Sequence, residues 1–139
     1  MISSQKIRST KKRQKILIID DDESLLDIYK TTLDRAGFQT LTATKGKKGI
    51  FLAKTSHPDL ILLDIMMPEI DGLVILKSLK QGIKTAHIPV VLLTNLPEEA
   101  GLKQGIKLKA IDYLLKVQYK PEELAAKVKG FYLKIKIAE

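Results

Sequence analysis

The chain has 139 residues, of which 45% are apolar, a net charge of +8 and no cysteine. This length suits one domain with a core of its own, and the apolar share excludes a chain that is disordered throughout. The lack of cysteine excludes disulfides and thiolate metal sites. No stretch approaches the ~18 apolar residues of a membrane span, and the basic start lacks the apolar core of a signal peptide. We therefore expect a soluble, cytoplasmic protein.

The positive charge is concentrated at the N-terminus. Residues 1–15 carry six basic side chains and no acid, so the rest of the chain is nearly neutral. We predict that residues 1–14 form a flexible, solvated basic tail and that residues 15–139 form one domain. Such a tail can touch an anionic membrane surface or nucleic acid. Because no aromatic residue separates its charges for base stacking, only weak contact with nucleic acid is expected.

Short apolar runs alternate along the domain with segments of helix length. Apolar runs of this kind are typical of buried parallel strands. The predicted strands, in chain order, are 15–20, 38–42, 60–63, 89–93 and 111–115. The predicted helices are 24–36, 47–55, 73 to about 82, one that opens at Pro97 and one that opens at Pro121.

This order of elements gives five consecutive strand–helix units. Crossovers between parallel strands are right-handed almost without exception, so helices are expected on both faces of the sheet. We predict an α/β fold, a single-domain doubly wound parallel sheet of five strands in the flavodoxin-like order 2-1-3-4-5 with five helices. Strands one and three are then neighbours, and ligands bind beyond the carboxyl ends of such strands.

Four of the apolar runs end on side chains that suit phosphate chemistry. The residues at these ends are Asp20-Asp21-Asp22-Glu23, Asp64, Thr94 and Lys116. Asp20, Asp21 and Asp64 are expected to converge, and carboxylates ~4 Å apart repel each other by roughly 4 kcal/mol at an effective dielectric constant of 20. A divalent cation relieves this repulsion, and ligands that are all oxygen suit Mg²⁺.

These residues and their spacing resemble the receiver domain of two-component response regulators, over about residues 14–137. Asp64 precedes Thr94 by 30 positions and Lys116 by 52, which is close to the usual spacing in that family. The motifs that carry the resemblance are Asp20-Asp21, Asp64, the loop Met67-Pro68…Asp71-Gly72, Thr94 and Lys116.

The resemblance implies a role for each residue of this set. Asp64 is the expected phosphoacceptor for a phosphohistidine on a sensor histidine kinase or a phosphotransfer protein. Lys116 and Thr94 are expected to contact phosphoryl oxygens. The implied ligands of Mg²⁺ are Asp64, Asp21 directly, Asp20 largely through water, and the backbone carbonyl of Met66. The chain itself is not expected to be an enzyme.

The resemblance also implies a switch. In this family the threonine moves toward the phosphate, and an aromatic residue three positions before the lysine turns inward. Tyr113 holds that position here, although ordinary core packing explains a tyrosine there equally well. The surface formed by residues 94–120 is then the element that changes and that meets a downstream protein target.

Several residues depart from the family pattern. Asn95 stands where a small residue is usual, which predicts slow self-phosphorylation from small acyl phosphates. Val117 replaces a cis proline, which predicts a trans peptide bond and a differently shaped loop, because a non-proline cis bond costs ~2.5–4 kcal/mol. Met66 and Leu96 cannot orient a water molecule, which predicts a long-lived phosphoryl state. The segment Leu108-Lys109-Ala110 is expected to alter only a turn.

Other interpretations remain open. The chain can be a pseudo-receiver that binds a protein without using phosphorylation, or the receiver fragment of a longer DNA-binding regulator. If the chain is complete, no room follows the receiver region for a DNA-binding domain, and output must pass through a protein partner. A haloacid dehalogenase would need an acid where Met66 stands, and in a flavodoxin the four acids after strand one would repel the phosphate. His57 and His87 are interpreted as structural.

Overall fold

The chain folds around a parallel sheet. A computed structural model describes residues 13–68, 70–95 and 98–138. In these ranges the sheet has five strands in the order β2-β1-β3-β4-β5, and every neighbouring pair is parallel. The strands are β1 Lys15–Ile19, β2 Gln39–Ala43, β3 Leu60–Leu63, β4 Val90–Thr94 and β5 Asp112–Leu115.

Five α-helices follow the strands within the same ranges, so the predicted fold class, strand order and helix number are confirmed. The helices are α1 Glu23–Arg35, α2 Gly46–Ser56, α3 Gly72–Gln81, α4 Glu98–Lys107 and α5 Pro121–Ala138. A short 3-10 turn, Lys116–Gln118, follows β5. Pro97, predicted to open the fourth helix, lies outside the described residues, as does most of the predicted basic tail.

The sheet is buried on both faces, which explains why its strands are continuous apolar runs. Alternate residues of β1 point in opposite directions. Ile16 and Ile18 pack in the cluster that includes α1 and α5, whereas Leu17 and Ile19 pack in the cluster that includes α2 and α3. Each fully buried leucine or isoleucine contributes roughly 1.5–3 kcal/mol relative to exposure. The sheet is therefore the rigid support for the loops at its carboxyl edge.

Side chains at the helix ends position two of these loops. The Asp22 carboxylate caps α1 by accepting a hydrogen bond from the Leu25 N–H at 3.1 Å. The Asp71 carboxylate caps α3 in the same way, accepting from the Leu73 N–H at 2.9 Å. Such caps typically contribute about 1 kcal/mol each. Because of these caps, α1 begins at residue 23 and α3 at residue 72, each one residue earlier than predicted.

Gly72 lets α3 approach the loop after β3 unusually closely. A Cβ atom at this position would lie 2.3 Å from the Ile65 Cα and 2.4 Å from the Asp64 carbonyl oxygen. The Gly72 N–H also donates to the Ile65 carbonyl oxygen at 3.2 Å. The start of α3 therefore presses against the backbone of Asp64 and Ile65.

Candidate functional site

The strand register brings Asp20 and Asp64 to one point. Ile19 and Leu63 are paired across β1 and β3, and Asp20 and Asp64 are the next residues along each strand. The Asp64 N–H donates to the Ile19 carbonyl oxygen at 2.9 Å. Carboxylate oxygens of Asp20, Asp21 and Asp64 all lie within 4.8 Å of one another. The first two strand ends thus form one acidic cluster, with Asp20 and Asp64 buried and Asp21 exposed.

Lys116 bridges the two buried carboxylates. Its Nζ lies 2.5 Å from Asp20 Oδ2 and 2.9 Å from Asp64 Oδ2. The Lys116–Val117 peptide bond is trans, and Lys116 begins the 3-10 turn after β5. The ammonium group therefore reaches the acidic cluster from the end of β5 although valine follows the lysine.

Burial and ion pairing act against each other in this cluster. For Asp20, burial is the larger effect and raises the pKa, while the contacts with Lys116 and with the Asp22 N–H lower it only in part. For Lys116, burial lowers the pKa, but the hydrogen bonds to Asp20 and Asp64 outweigh it and raise the pKa above its ordinary value. Lys116 is therefore protonated at neutral pH, and its ammonium group lies between the carboxyl groups of Asp20 and Asp64.

Backbone N–H groups orient the two buried carboxylates. Met66 N–H donates to Asp64 Oδ1 at 2.9 Å, and Asp22 N–H donates to Asp20 Oδ1 at 3.0 Å. Each carboxylate thus has one oxygen toward the backbone and the other toward Lys116. The Met66 backbone lies beside Asp64, whereas its side chain is half exposed. Asp22, the third acid of the run, serves as the cap of α1.

Thr94 and Tyr113 lie on β4 and β5, the two strands that follow β3 across the sheet. Thr94 is the last residue of β4, is fully buried and is paired with Leu115, the neighbour of Lys116. Tyr113 is 5% exposed and belongs to the hydrophobic cluster on the α2–α3 side of the sheet. The aromatic side chain thus already occupies a buried position in this conformation. Asn95 is exposed just beyond Thr94, and Leu96 lies outside the described residues.

An open cleft of about 550 Å³ lies next to Asp21. Its walls come from the loops after β1, β2 and β3, and include Asp21, Thr44, Lys45 and Met67. The sequence interpretation did not consider Thr44 and Lys45. The signal was available, because these residues follow β2 and the carboxyl ends of all parallel strands meet at one edge.

The donor set fits a hard divalent cation. The three clustered side chains offer only carboxylate oxygens, at mutual distances that one ion can span. Oxygen ligands that leave room for water are the ligands Mg²⁺ prefers. Among the described residues, this is the one group of three or more acidic or histidine side chains with that geometry.

Comparison with known proteins identifies the family. The model of the response regulator receiver domain matches residues 16–129, so the chain belongs to the response regulator receiver domain family. This match confirms the resemblance seen in the sequence. Receiver domains act in two-component phosphorelay signalling and interact with histidine kinases.

Similar proteins include two transcriptional regulators. The alkaline phosphatase synthesis transcriptional regulatory protein PhoP of Bacillus subtilis is 37% identical over 125 residues, which cover 90% of this chain and 51% of PhoP. The DNA-binding dual master transcriptional regulator RpaA of Synechocystis is 41% identical over 116 residues, which cover 84% of this chain and 48% of RpaA. The chain therefore spans about half the length of these curated relatives.

A solved structure supports the fold independently. The CheY-like receiver domain of Methanospirillum hungatei superposes with a TM-score of 0.84 at 22% identity, covering 92% of this chain and all of that one. At this identity the likeness concerns the fold alone. In the part of the chain that the structure describes, no helix has the length and apolar character needed to cross a lipid bilayer.

Proposed function

We propose that Asp64 accepts a phosphoryl group from a phosphohistidine on a sensor histidine kinase or phosphotransfer protein in the cytoplasm. The observation that carries the proposal is the bridge from Lys116 Nζ to Asp64 and Asp20, next to a third carboxylate. A cation held against a buried carboxylate at a sheet edge can receive and stabilise a transferred anion. In this scheme the chain is a phosphoryl acceptor and not an enzyme.

The transfer balances as a displacement at phosphorus. An Asp64 carboxylate oxygen attacks the phosphorus atom, the new P–O bond forms, and the P–N bond to the donor histidine breaks. The imidazole leaves with the bonding electron pair and takes up a proton from water. Lys116, held protonated, follows the negative charge from the carboxylate to a phosphoryl oxygen, and the Thr94 hydroxyl donates to another. Catalysis is then mainly positioning and charge stabilisation.

The site is suited to hold Mg²⁺ through Asp21, Asp64, the Met66 backbone carbonyl and, largely through water, Asp20. When bound, the ion would offset the negative charge of these carboxylates and of the incoming phosphoryl oxygens. The N–H groups of Asp22 and Met66 already orient one oxygen of each buried carboxylate, Asp20 and Asp64, whereas Lys116 holds the other.

Phosphorylation would change the surface of residues 94–120. Thr94 ends β4 within this segment, and its movement toward the phosphoryl group would shift the chain that leads into α4. Tyr113 is buried on the neighbouring strand and would have to adjust to this shift. Ile106, Ile111 and Val117 are exposed apolar side chains on the same segment, which supports a downstream protein partner there.

The test is binding of beryllofluoride, a stable mimic of the phosphoryl group, followed by NMR with and without Mg²⁺. We expect saturable, magnesium-dependent shifts around Thr94 and Lys116 in the wild type and none in Asp64→Ala. Asp27→Ala removes an exposed acid of α1 and serves as the matched control that keeps the response. A folded wild-type protein that shows no response would favour the pseudo-receiver interpretation.

The relatives support a second candidate. PhoP and RpaA are named transcriptional regulators, and the match covers 51% and 48% of their lengths. The second candidate is therefore the receiver part of a longer DNA-binding regulator. Mass spectrometry of the protein isolated from its native cells distinguishes the two, since a longer regulator would have roughly twice the 15.6 kDa of this chain.

A further inference from the structure

Helix α5 packs one side against the sheet. Leu124, Val128 and Phe131 are buried in the same cluster as Ile16 and Ile18 of β1. At 3.6 residues per turn these three side chains share one face of the helix. The opposite face of α5 is therefore turned away from the core.

That opposite face carries an apolar stripe that nothing in the described structure covers. Leu133 and Ile137 are 59% and 85% exposed, and Ala126 and Gly130 are exposed as well. Their spacing of four, three and four residues places them within an arc of about 60°. A Cβ atom at Gly130 would meet no atom of the described residues within 4 Å. The face is thus flat and open to a close approach.

Lysines line both sides of the stripe. Lys127 and Lys134 follow one side and Lys129 and Lys136 the other, and all four are exposed. The acids of α5, Glu122 and Glu123, are confined to its first turn. We call the stripe with its four lysines the α5 lysine face.

This charge pattern selects the occupant. A second copy of the chain packed through the stripe would place lysines beside lysines in either relative direction, which is repulsive. The stripe is also shorter than the three or more heptads of a stable coiled coil. A nucleic acid would pair with the lysines but would bury neither Leu133 nor Ile137. An anionic lipid surface can pair with the lysines and also bury these two apolar side chains.

The positive surface continues beyond the helix. Arg13 and Gln14 line one groove together with Tyr132 and Lys136 of α5. A broad anionic surface can contact Arg13 together with the lysines of the helix.

We propose that the α5 lysine face binds anionic lipid surfaces peripherally. Leu133 and Ile137 enter the headgroup region while the flanking lysines contact anionic headgroups. Each lysine near such a surface strengthens binding about fivefold at moderate salt. This binding is independent of the phosphoacceptor chemistry proposed for Asp64, which lies at the carboxyl edge of the sheet.

The experiment is co-sedimentation of the 139-residue chain with mixed phosphatidylglycerol–phosphatidylcholine vesicles and with pure phosphatidylcholine vesicles. We expect binding only to the anionic vesicles, weakened by added salt. Substituting Lys129→Gln, Lys134→Gln and Lys136→Gln together should weaken binding at least tenfold. The matched control carries Lys47→Gln, Lys48→Gln and Lys54→Gln on α2 and therefore has the same net charge as the α5 triple variant. It should bind within about threefold of the wild type.

A second pair of variants tests the apolar stripe. Leu133→Ser with Ile137→Ser should weaken binding, whereas Val74→Ser with Ile83→Ser, which removes two exposed apolar side chains elsewhere, should not. Thermal unfolding of each variant verifies that it folds. The proposal would be overturned if the α2 control lost as much vesicle binding as the α5 lysine variant, or if the stripe variant lost none. It would also be overturned if the wild type bound duplex DNA or an acidic helical peptide as tightly as the anionic vesicles.

Discussion

At the residue scale, neighbouring acids of one run have different roles because their surroundings differ. Asp20 is buried and paired with Lys116, Asp21 is exposed beside the open cleft, and Asp22 caps α1. The three residues are identical in chemistry and adjacent in sequence. Burial, ion pairing and backbone hydrogen bonds therefore decide which of them can face a metal ion.

Lys116 competes with a cation for the same carboxylate oxygens. Its Nζ contacts Oδ2 of both Asp20 and Asp64. We expect Lys116→Ala to bind Mg²⁺ severalfold more tightly, because the clustered negative charge loses its internal partner, yet to lose most of the beryllofluoride response. NMR titrations of Mg²⁺ with and without beryllofluoride measure both effects. Lys120→Ala, an exposed lysine nearby, is the control. Weaker binding of Mg²⁺ by Lys116→Ala would contradict this explanation.

Asn95 is exposed at the edge of the site, directly after Thr94. We expect Asn95→Ala to accept phosphoryl groups from acetyl phosphate several times faster than the wild type, because a smaller side chain opens the approach to Asp64. The rate of phosphoprotein formation under equal Mg²⁺ concentrations measures this. Equal rates in the two proteins would mean that Asn95 does not limit access.

At the element scale, close contacts between helices and strand ends hold the site loops in place. Gly72 allows α3 to touch the backbone of Asp64, and Asp34 ties α1 to β2. The Asp34 carboxylate accepts from Lys30 Nζ at 2.9 Å and from the Thr40 N–H at 3.1 Å. The close contact at Gly72 and the hydrogen bonds of Asp34 thus hold α3, α1 and β2, the elements next to the loops of the candidate site.

Gly72→Ala should shift the loop that follows β3. The new Cβ would meet backbone atoms, which cannot rotate away as a flexible side chain can. We expect the free energy of unfolding to fall by about 1–3 kcal/mol and Mg²⁺ binding to weaken. Gly130→Ala is the matched control, because open space surrounds that position, and it should stabilise the protein by about 0.4–1 kcal/mol. Urea unfolding and a Mg²⁺ titration of both variants are the measurements.

Asp34 predicts a pH dependence of stability. Burial raises its pKa, but the hydrogen bonds from Lys30 and Thr40 outweigh this and lower the pKa below the usual 3.8. A carboxyl group whose pKa is lower in the folded than in the unfolded chain stabilises the fold at pH values above its unfolded pKa. This stabilisation is lost as the pH falls through the folded pKa. We expect Asp34→Asn to flatten the acid limb of a stability–pH curve below about pH 4. Identical curves for the two proteins would exclude this contribution.

At the scale of the whole molecule, the acidic cluster joins elements distant in sequence. Asp20, Asp64 and Lys116 follow β1, β3 and β5, so their interaction depends on the complete sheet. Any ligand that neutralises the cluster therefore binds only the folded chain. Such a ligand stabilises the fold by mass action.

Mg²⁺ should accordingly raise the melting temperature. At 100 times the dissociation constant the stabilisation is about 2.7 kcal/mol. We expect this shift in the wild type and its loss in Asp21→Asn, which in the absence of Mg²⁺ should be more stable than the wild type because one repelling charge is gone. Differential scanning calorimetry with Mg²⁺ or with chelator measures both effects. A wild-type melting temperature that does not respond to Mg²⁺ would argue against the proposed ion site.

The sequence by itself determined the elements and their order. Continuous apolar runs such as Leu60–Leu63 indicated buried strands, because a strand covered on both faces has no polar side. The parallel arrangement then predicted that Asp20, Asp64 and Lys116 share one edge of the sheet. The second strand, predicted at 38–42, spans Gln39–Ala43, because pairing with β1 sets its limits.

Only the tertiary structure decided how these residues meet. It placed one lysine between two carboxylates, and it buried Asp20 and Asp64 while leaving Asp21 exposed. It also placed the start of α3 at Gly72 against Asp64. These contacts depend on strand register, side-chain direction and helix docking, which arise from pairings between distant segments and leave no local signal in the sequence.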